Sequence, residues 1–195
     1  LPKLQNICKE VLAYYSKEKF VSLCKEWAKE YSKELYDLIE SDEEKFTNII
    51  NIEREQEKPR KDYEKYSDVL PKISFFYNSY YEKMMEEKTL EWNPFIDRNL
   101  IKEMLEEFKS SMDYSLDEQA WFASLKSLGV KHGFAENFKL YKKDKDAYKG
   151  HVGDVAEMVR IALTSSKQSP NLYQVLHILG KEEVDRRIEL AVSKL

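Results

Sequence analysis

Arg160 and the pair Ser169-Pro170 place hydrogen-bond donors on either side of one break between two segments of helical periodicity. A guanidinium offers five N–H donors in a planar fork that fits a base edge or a phosphate. Ser169 is a good N-cap and Pro170 a good first helical residue, so the pair predicts a helix start with unpaired backbone N–H groups. An ordinary capped helix, with Arg160 opposing its own helix dipole, explains the same residues. From this stretch alone, that simpler explanation is favoured.

Two other basic stretches could do similar chemistry. The first is "KPRKDY", which clusters Lys58, Arg60 and Lys61 at a helix break, where they could contact a phosphate or a base. The second is a loop with two tyrosines, Tyr141 and Tyr148, among five lysines: Lys139, Lys142, Lys143, Lys145 and Lys149. Basic loops with interleaved aromatic rings suit single-stranded RNA. A solvated charged turn is the alternative in both places.

Residues for catalysis are sparse. His132, His151, His177, Cys8 and Cys24 show no metal-ligand spacing, and there is no glycine-rich phosphate loop or nucleophile elbow. We therefore predict no catalytic residue and no metal site. The apolar helical positions of Cys8 and Cys24 predict buried free thiols in a reducing cytoplasm. His177, beside two leucines, is predicted to be a structural histidine.

Composition predicts the class of fold. The 195 residues are 42% hydrophobic and 35% charged, with only 5 Gly and 5 Pro, which is typical of a helix-rich globular protein. No apolar run is long enough to span a membrane. The net charge of −4 falls within residues 1–94, so any polyanion site must be a local patch, and residues 95–195 are the better place for it.

Apolar residues recur every three or four positions, and no alternating strand appears, so the fold class is all-α. "EWNPF" at 91–95 predicts a linker between two helical bundles, which gives domains 1–92 and 95–195. Capping boxes are predicted at Ser41–Glu44 and Ser115–Glu118, an N-cap at Asp97 and a helix stop at Gly129. The predicted helices cover 4–14, 18–40, 42–55, a segment from 67, a segment after 97, 116–128, 152–164, 170–179 and 181–194, and 130–151 is predicted to be irregular.

Three segments resemble the C-terminal, anticodon-binding half of bacterial glutamyl-tRNA synthetases. "GHVGDVAEMVRIALTSSKQSPNLYQVLHILGKEEVDRRIELA" is similar to the closing block of that family, "IEREQEKPRKDYEKYSDV" to its Arg/Lys-Pro-Arg corner, and "LGVKHGFAENFKLYKKDKDAYKGHVGD" to a longer loop of one branch. One departure is that Thr164-Ser165 stands where the family has Thr-Gly.

The resemblance implies a two-domain α-helical cage that grips the tRNA anticodon. By position, it makes Arg160 the reader of the first anticodon base and Arg60 the sensor of the third. Ser169, Pro170 and Leu172 match the helix start that contacts anticodon bases. The parent enzyme would join glutamate to tRNA with ATP and magnesium ion, as a monomer in the cytoplasm. The signature motifs of its nucleotide-binding domain are missing, so these residues are expected to bind tRNA without activating glutamate and to need no cofactor.

Two points stay open at this stage. The resemblance is compatible with a parent enzyme that accepts only glutamate tRNA and with one that also accepts glutamine tRNA. The main alternative function is a helical scaffold that binds a partner protein through its surplus of aromatic residues, 13 Tyr and 9 Phe. A self-sufficient enzyme is disfavoured, because no catalytic constellation is present.

Overall fold

The computed structural model describes residues 2–195 and confirms an all-α fold over that range. Its residues divide into two compact units, 1–80 and 81–195. The predicted linker at 91–95 lies after this division, within the second unit. The reason is that Leu90, Trp92 and Ile96, on both sides of the Asn-Pro break, are buried in the core of the second unit.

The first unit begins with four helices: α1 (Pro2–Ala13), α2 (Lys17–Tyr31), α3 (Lys33–Ser41) and α4 (Glu43–Ile50). Turns follow α4, and then the short α5 (Val69–Ile73) lies between two 3-10 turns, Tyr66–Asp68 and Ser74–Phe76. The next helix, α6 (Asn78–Glu87), contains the division between the units.

Several helix boundaries in the first unit differ from the prediction, two of them at serines. The single helix predicted for 18–40 is broken at Ser32, whose extended backbone ends α2 while its hydroxyl accepts from the N–H of Leu35 and starts α3. The capping box at Ser41 is wrong as well. Ser41 is the last residue of α3, and Asp42 caps α4 by accepting from the N–H of Lys45 at 2.8 Å.

Helix α1 forms as predicted, but most of its apolar side is not in a core. Ala13 is its only buried hydrophobic residue among those described, whereas Leu4, Ile7, Val11 and Tyr14 are exposed along one face. The C-terminus of α1 is held by Arg54, a buried side chain whose Nη1 donates to the carbonyl of Leu12 at 2.7 Å.

The second unit contains α7 (Arg98–Ser111), α8 (Glu118–Lys131), α9 (Phe138–Lys143), α10 (Val152–Thr164), α11 (Leu172–Leu179) and α12 (Lys181–Val192). Its core joins α7, α8, α10, α11 and α12. Asp97 caps α7 as predicted, by accepting from the N–H groups of Asn99 and Leu100. The bounds of α10 agree with the predicted 152–164.

Three predictions in the second unit were wrong. Asp117, not Ser115, caps α8, because its carboxylate reaches the N–H of Ala120 at 2.8 Å. Gly129 does not stop that helix but lies buried inside it. A Cβ at this position would come within 3.1 Å of a methyl carbon of Val155. The segment 130–151 is also not wholly irregular, because it contains α9.

We call residues 136–149 the basic excursion, because they leave the core between α8 and α10. Its two ends are tied together by a parallel bridge between Ala135 and His151. Phe134, at the start, is buried against Gly150, where a Cβ would come within 2.9 Å of its ring. The excursion is therefore anchored at its base, and its tip carries the lysines.

The cysteines and His177 behave differently from one another. Cys24 is buried as predicted, whereas Cys8 is only half-buried, and both are free thiols. His177 is exposed, although its ring packs on that of Tyr173 with centroids 4.3 Å apart. Within residues 2–195, no helix has the length and apolarity to cross a membrane, and no cluster of His, Cys, Asp and Glu could hold a metal ion.

Candidate functional site

The break between α10 and α11 brings Arg160 and Ser169 together. The Nε of half-buried Arg160 donates to the Ser169 hydroxyl at 3.0 Å, and that hydroxyl donates to the carbonyl of Pro170 at 2.8 Å. The guanidinium is thus fixed beside the start of α11, where backbone N–H groups lack helical partners. This corner has the donors that a base edge or a phosphate accepts from.

The start of α11 differs in detail from the prediction. The N-cap is Asn171, whose side chain accepts from the N–H of Gln174 at 3.1 Å, and the helix begins at Leu172. The Ser169 hydroxyl instead accepts from Arg160 and donates to the carbonyl of Pro170. Pro170 therefore lies before the cap rather than in the first turn. The side chain of Leu172 is buried in the core, so a contact from this residue to a ligand would have to use its backbone N–H.

The end of α10 is built around a left-handed residue. Ser165 has φ +54°, and its N–H donates to the carbonyl of Ile161 at 2.9 Å. The Thr164 hydroxyl returns to the carbonyl of Arg160 at 2.8 Å. Glycine is the usual residue in this conformation, because a Cβ crowds the backbone there. Thr164-Ser165 therefore ends α10 in a left-handed turn without a glycine.

Two side chains from other helices donate to two further carbonyls at the end of α10. Arg187 of α12 is fully buried, and its Nη1 donates to the carbonyl of Leu163 at 2.7 Å. The hydroxyl of Tyr81 donates to the carbonyl of Ala162. The guanidinium of Arg187 also lies 4.0 Å from the ring centroid of Tyr81. The end of α10 that carries Arg160 is consequently held in place by α6 and α12.

The charge of Arg187 is matched by Glu183, one turn earlier on α12. The Glu183 carboxylate accepts from the Nε of Arg187 at 2.5 Å. Burial lowers the pKa of Arg187 and would raise that of Glu183, but hydrogen bonds from Arg186 and Arg187 outweigh burial and lower the pKa of Glu183. Both groups are therefore ionised at neutral pH. This pair was not predicted from the sequence. Its i, i+4 spacing, and the position of Arg187 among the apolar residues Val184, Ile188 and Ala191, could have indicated it.

Arg60 in the first unit is oriented by two carboxylates. Its Nε donates to Asp62 at 2.7 Å and its Nη1 to Glu53 at 3.1 Å. Glu53 has φ +53°, and its carbonyl accepts from the Arg60 backbone N–H at 2.9 Å. Burial opposes the charge of Arg60, but these hydrogen bonds outweigh it and raise the Arg60 pKa. Arg60 is thus a preorganised cation at a rigid corner.

The other predicted residues lie at the surface. Lys58 and Lys61 are exposed beside buried Pro59, and Lys61 pairs with Glu10 of α1. Lys142, Lys143 and Lys145 are exposed in the basic excursion. None of these three forms an ion pair within residues 2–195, so their charges remain available to a ligand. Surface cations of this kind attract a polyanion without reading its sequence.

Comparison with known proteins assigns the class. A family described as "Anticodon binding domain" matches residues 19–192, so the chain belongs to that family. This confirms the resemblance drawn from the three sequence segments at the level of the family.

Curated relatives narrow the comparison to one kind of enzyme. The chain is 37% identical over 188 residues to a glutamate–tRNA ligase of Clostridium perfringens (strain 13 / Type A), a match that covers 96% of this chain and 34% of the relative. It is 33% identical over 189 residues to the glutamate–tRNA ligase of Acetivibrio thermocellus, with 97% and 34% covered. For that of Sorangium cellulosum the identity is 33% over 187 residues, with 95% and 32% covered. The chain spans about a third of the length of these relatives.

Proposed function

We propose that this chain is the anticodon-binding part of a glutamate–tRNA ligase and that it grips the anticodon arm of glutamate tRNA. The observation that carries the proposal is the contact between Arg160 and Ser169 at the start of α11, in a chain of the anticodon-binding family. A guanidinium held by its own protein loses little freedom on binding, so more of its interaction energy remains for recognition.

Each of the two arginines is proposed to read one base. Arg160 would donate to the first anticodon base and Arg60 to the third, while Ser169, Pro170 and the backbone of Leu172 line the same corner as Arg160. Lys58, Lys61, Lys142, Lys143 and Lys145 would contact phosphates. Base contacts from Arg supply specificity, whereas phosphate contacts supply affinity that salt weakens.

The activity of the whole enzyme is part of the proposal. The parent ligase would attach glutamate to tRNA with ATP and magnesium ion, acting as a monomer in the cytoplasm. No described residue of this chain is assigned to ATP or to the metal. The support for this activity is that the relatives are glutamate–tRNA ligases.

One observation favours the alternative of a protein-binding scaffold. Leu4, Ile7 and Val11 of α1, with Tyr14 directly after it, form an exposed apolar face, and such faces suit protein partners better than RNA. This face is in the first unit and involves neither Arg160 nor Arg60. A protein contact there is compatible with RNA binding elsewhere on the chain.

A salt titration tests the proposed function. We expect the chain to bind the anticodon stem–loop of a glutamate tRNA, with an affinity that falls steeply as salt rises, because phosphate contacts release counterions. The matched control is a hairpin that contains the acceptor stem of the same tRNA, which should bind much more weakly. Equal affinity for the two RNAs, or no binding of either, would overturn the proposal.

A further inference from the structure

The most exposed aromatic ring of the second unit lies on a fixed turn. The side chain of Phe95 is 93% exposed, while Trp92 and Ile96 around it are each 5% exposed. The Asn93 side-chain oxygen accepts from the Phe95 N–H at 3.0 Å, and the Ile96 N–H donates to the Asn93 carbonyl at 3.3 Å. Two buried neighbours and two hydrogen bonds hold the backbone, so the ring is presented to solvent by a rigid support.

A series of contacts joins this turn to the basic excursion. The Asn93 amide nitrogen donates to Asp154 at 3.3 Å, and the same carboxylate accepts from the backbone N–H of His151 at 2.8 Å. The His151 ring meets the rings of Phe138 and Tyr141 in edge contacts, with centroids 5.3 and 5.6 Å apart. Phe95 therefore lies on the same side of the second unit as the base of the excursion.

The basic excursion is cationic as well as aromatic. It exposes five lysines, Lys139, Lys142, Lys143, Lys145 and Lys149, and the residue Phe138 is 59% exposed among them. Asp144 accepts from the N–H of Ala147 at 3.2 Å, and Glu136 and Asp146 are exposed as well, so the excursion has five lysines against three carboxylates. Single exposed apolar residues are common and need no explanation. A fixed aromatic ring on the same side of a unit as several cations is an arrangement that suits single-stranded RNA, with bases stacked on rings and phosphates near lysines.

We propose that Phe95 is a stacking platform for an unpaired base of RNA and that the lysines of the basic excursion hold the adjoining phosphates. This inference rests on the proposed function and adds a second contact to it. Asp154 and Arg160 are six residues apart on α10, which corresponds to about 9 Å along a helix axis. The Phe95 contact thus lies toward the opposite end of α10 from the Arg160 corner, and it would take a different nucleotide.

The experiment replaces Phe95 and measures binding of the anticodon stem–loop of a glutamate tRNA. Phe95→Ala should weaken binding about five- to a hundredfold, the effect of removing one stacked base. Phe95→Trp should bind at least as well as the unchanged chain, because indole stacks well, whereas Phe95→Leu should bind as poorly as Phe95→Ala. The control is Phe122→Ala on α8, an exposed ring away from the turn, which should change nothing. All four variants should melt like the unchanged chain, because neither ring is buried in the core.

Three outcomes overturn the inference. Unchanged binding by Phe95→Ala excludes a contact, and full binding by Phe95→Leu shows an apolar contact without stacking. An equal loss from Phe122→Ala shows a general effect of surface aromatics. If Arg160→Ala weakens binding but Phe95→Ala does not, only this inference fails. If the unchanged chain does not bind the stem–loop, the proposed function fails with it.

Discussion

The Nη1 atom of Arg187 donates to the backbone carbonyl of Leu163 at 2.7 Å, although the Arg187 side chain has no exposure to solvent. Leu163 lies three residues after Arg160 on α10, so a buried guanidinium supports the helix end from which a second, half-buried guanidinium emerges. The two arginines thus have different tasks, one in the core and one at the proposed RNA contact, and they can be tested separately.

We expect Arg187→Met to lower the free energy of unfolding of the second unit by about 3–5 kcal/mol, because it leaves the Glu183 carboxylate and the Leu163 carbonyl without their buried donor. The control is Arg186→Met, which also removes a partner of Glu183 but at a more exposed site, 38% against 0% for Arg187. That change should cost about 0–1 kcal/mol. Urea unfolding followed by tryptophan fluorescence measures both. Similar losses for the two variants would contradict the supporting role of Arg187.

Ser165→Gly should stabilise the second unit by about 0.5–1 kcal/mol. Glycine adopts the φ of +54° without the crowding that a Cβ causes, and this gain exceeds its greater freedom in the unfolded chain. The change also removes the Ser165 hydroxyl, which is buried without a hydrogen-bond partner among the described residues. Ser166→Gly, at the next position, is the control and should be neutral or destabilising. A lower melting temperature for Ser165→Gly would show that the hydroxyl has an unrecognised structural role.

The two cysteines should differ in reactivity. Burial raises the pKa of Cys24 to about 12, so at pH 8 its reactive thiolate is rare. Iodoacetamide should therefore modify half-buried Cys8 well before Cys24 in the folded chain, and the Cys24 rate should keep rising with pH toward 12. In urea the two rates should converge, and peptide mass spectrometry measures them. Equal rates in the folded chain would mean that α2 opens readily.

The lysines of the basic excursion should act on affinity alone. Lys143→Ala should weaken binding of stem–loops with any anticodon to the same degree and should flatten the salt dependence by about one unit, because one phosphate contact is lost. Lys102→Ala, at an equally exposed position on α7, is the control for net charge. Fluorescence anisotropy over a range of salt concentrations measures the slopes. A loss that depends on the anticodon would make Lys143 a base-reading residue instead.

Hydrophobic periodicity was enough to predict the all-α class and the bounds of α10, because its apolar stripe and the polar residues after it mark both ends. The choice of cap was harder. Ser41 and Asp42, Ser115 and Asp117, or Ser169 and Asn171 are all good caps, and the fold selects the second of each pair. At Asn171 the choice depends on tertiary contacts. The Asn171 amide also donates to Glu118 at 2.6 Å, whereas the Ser169 hydroxyl accepts from Arg160.

The buried arginines could not be predicted from local patterns. Arg54 and Arg187 bind backbone carbonyls of helices far away in sequence, in α1 and α10. Every residue type has a backbone carbonyl, so the sequence does not indicate which one an arginine will bind. The candidate site was easier to predict from the sequence. The break after Arg160 was visible in the sequence, and in the structure the Arg160 guanidinium contacts the Ser169 hydroxyl there. The base that each arginine reads stays a prediction, since it rests on the resemblance.

The most direct test of the account is a double-mutant cycle between Arg160 and the first anticodon base. Arg160→Ala should cost about 1–3 kcal/mol of binding to the stem–loop with the glutamate anticodon, the usual value of a bidentate base contact. It should cost much less when the first base has already been changed. Arg98→Ala, at an exposed arginine of α7, controls for charge and should show no such coupling. A loss that is the same for every first base would contradict the account and would make Arg160 a phosphate contact only.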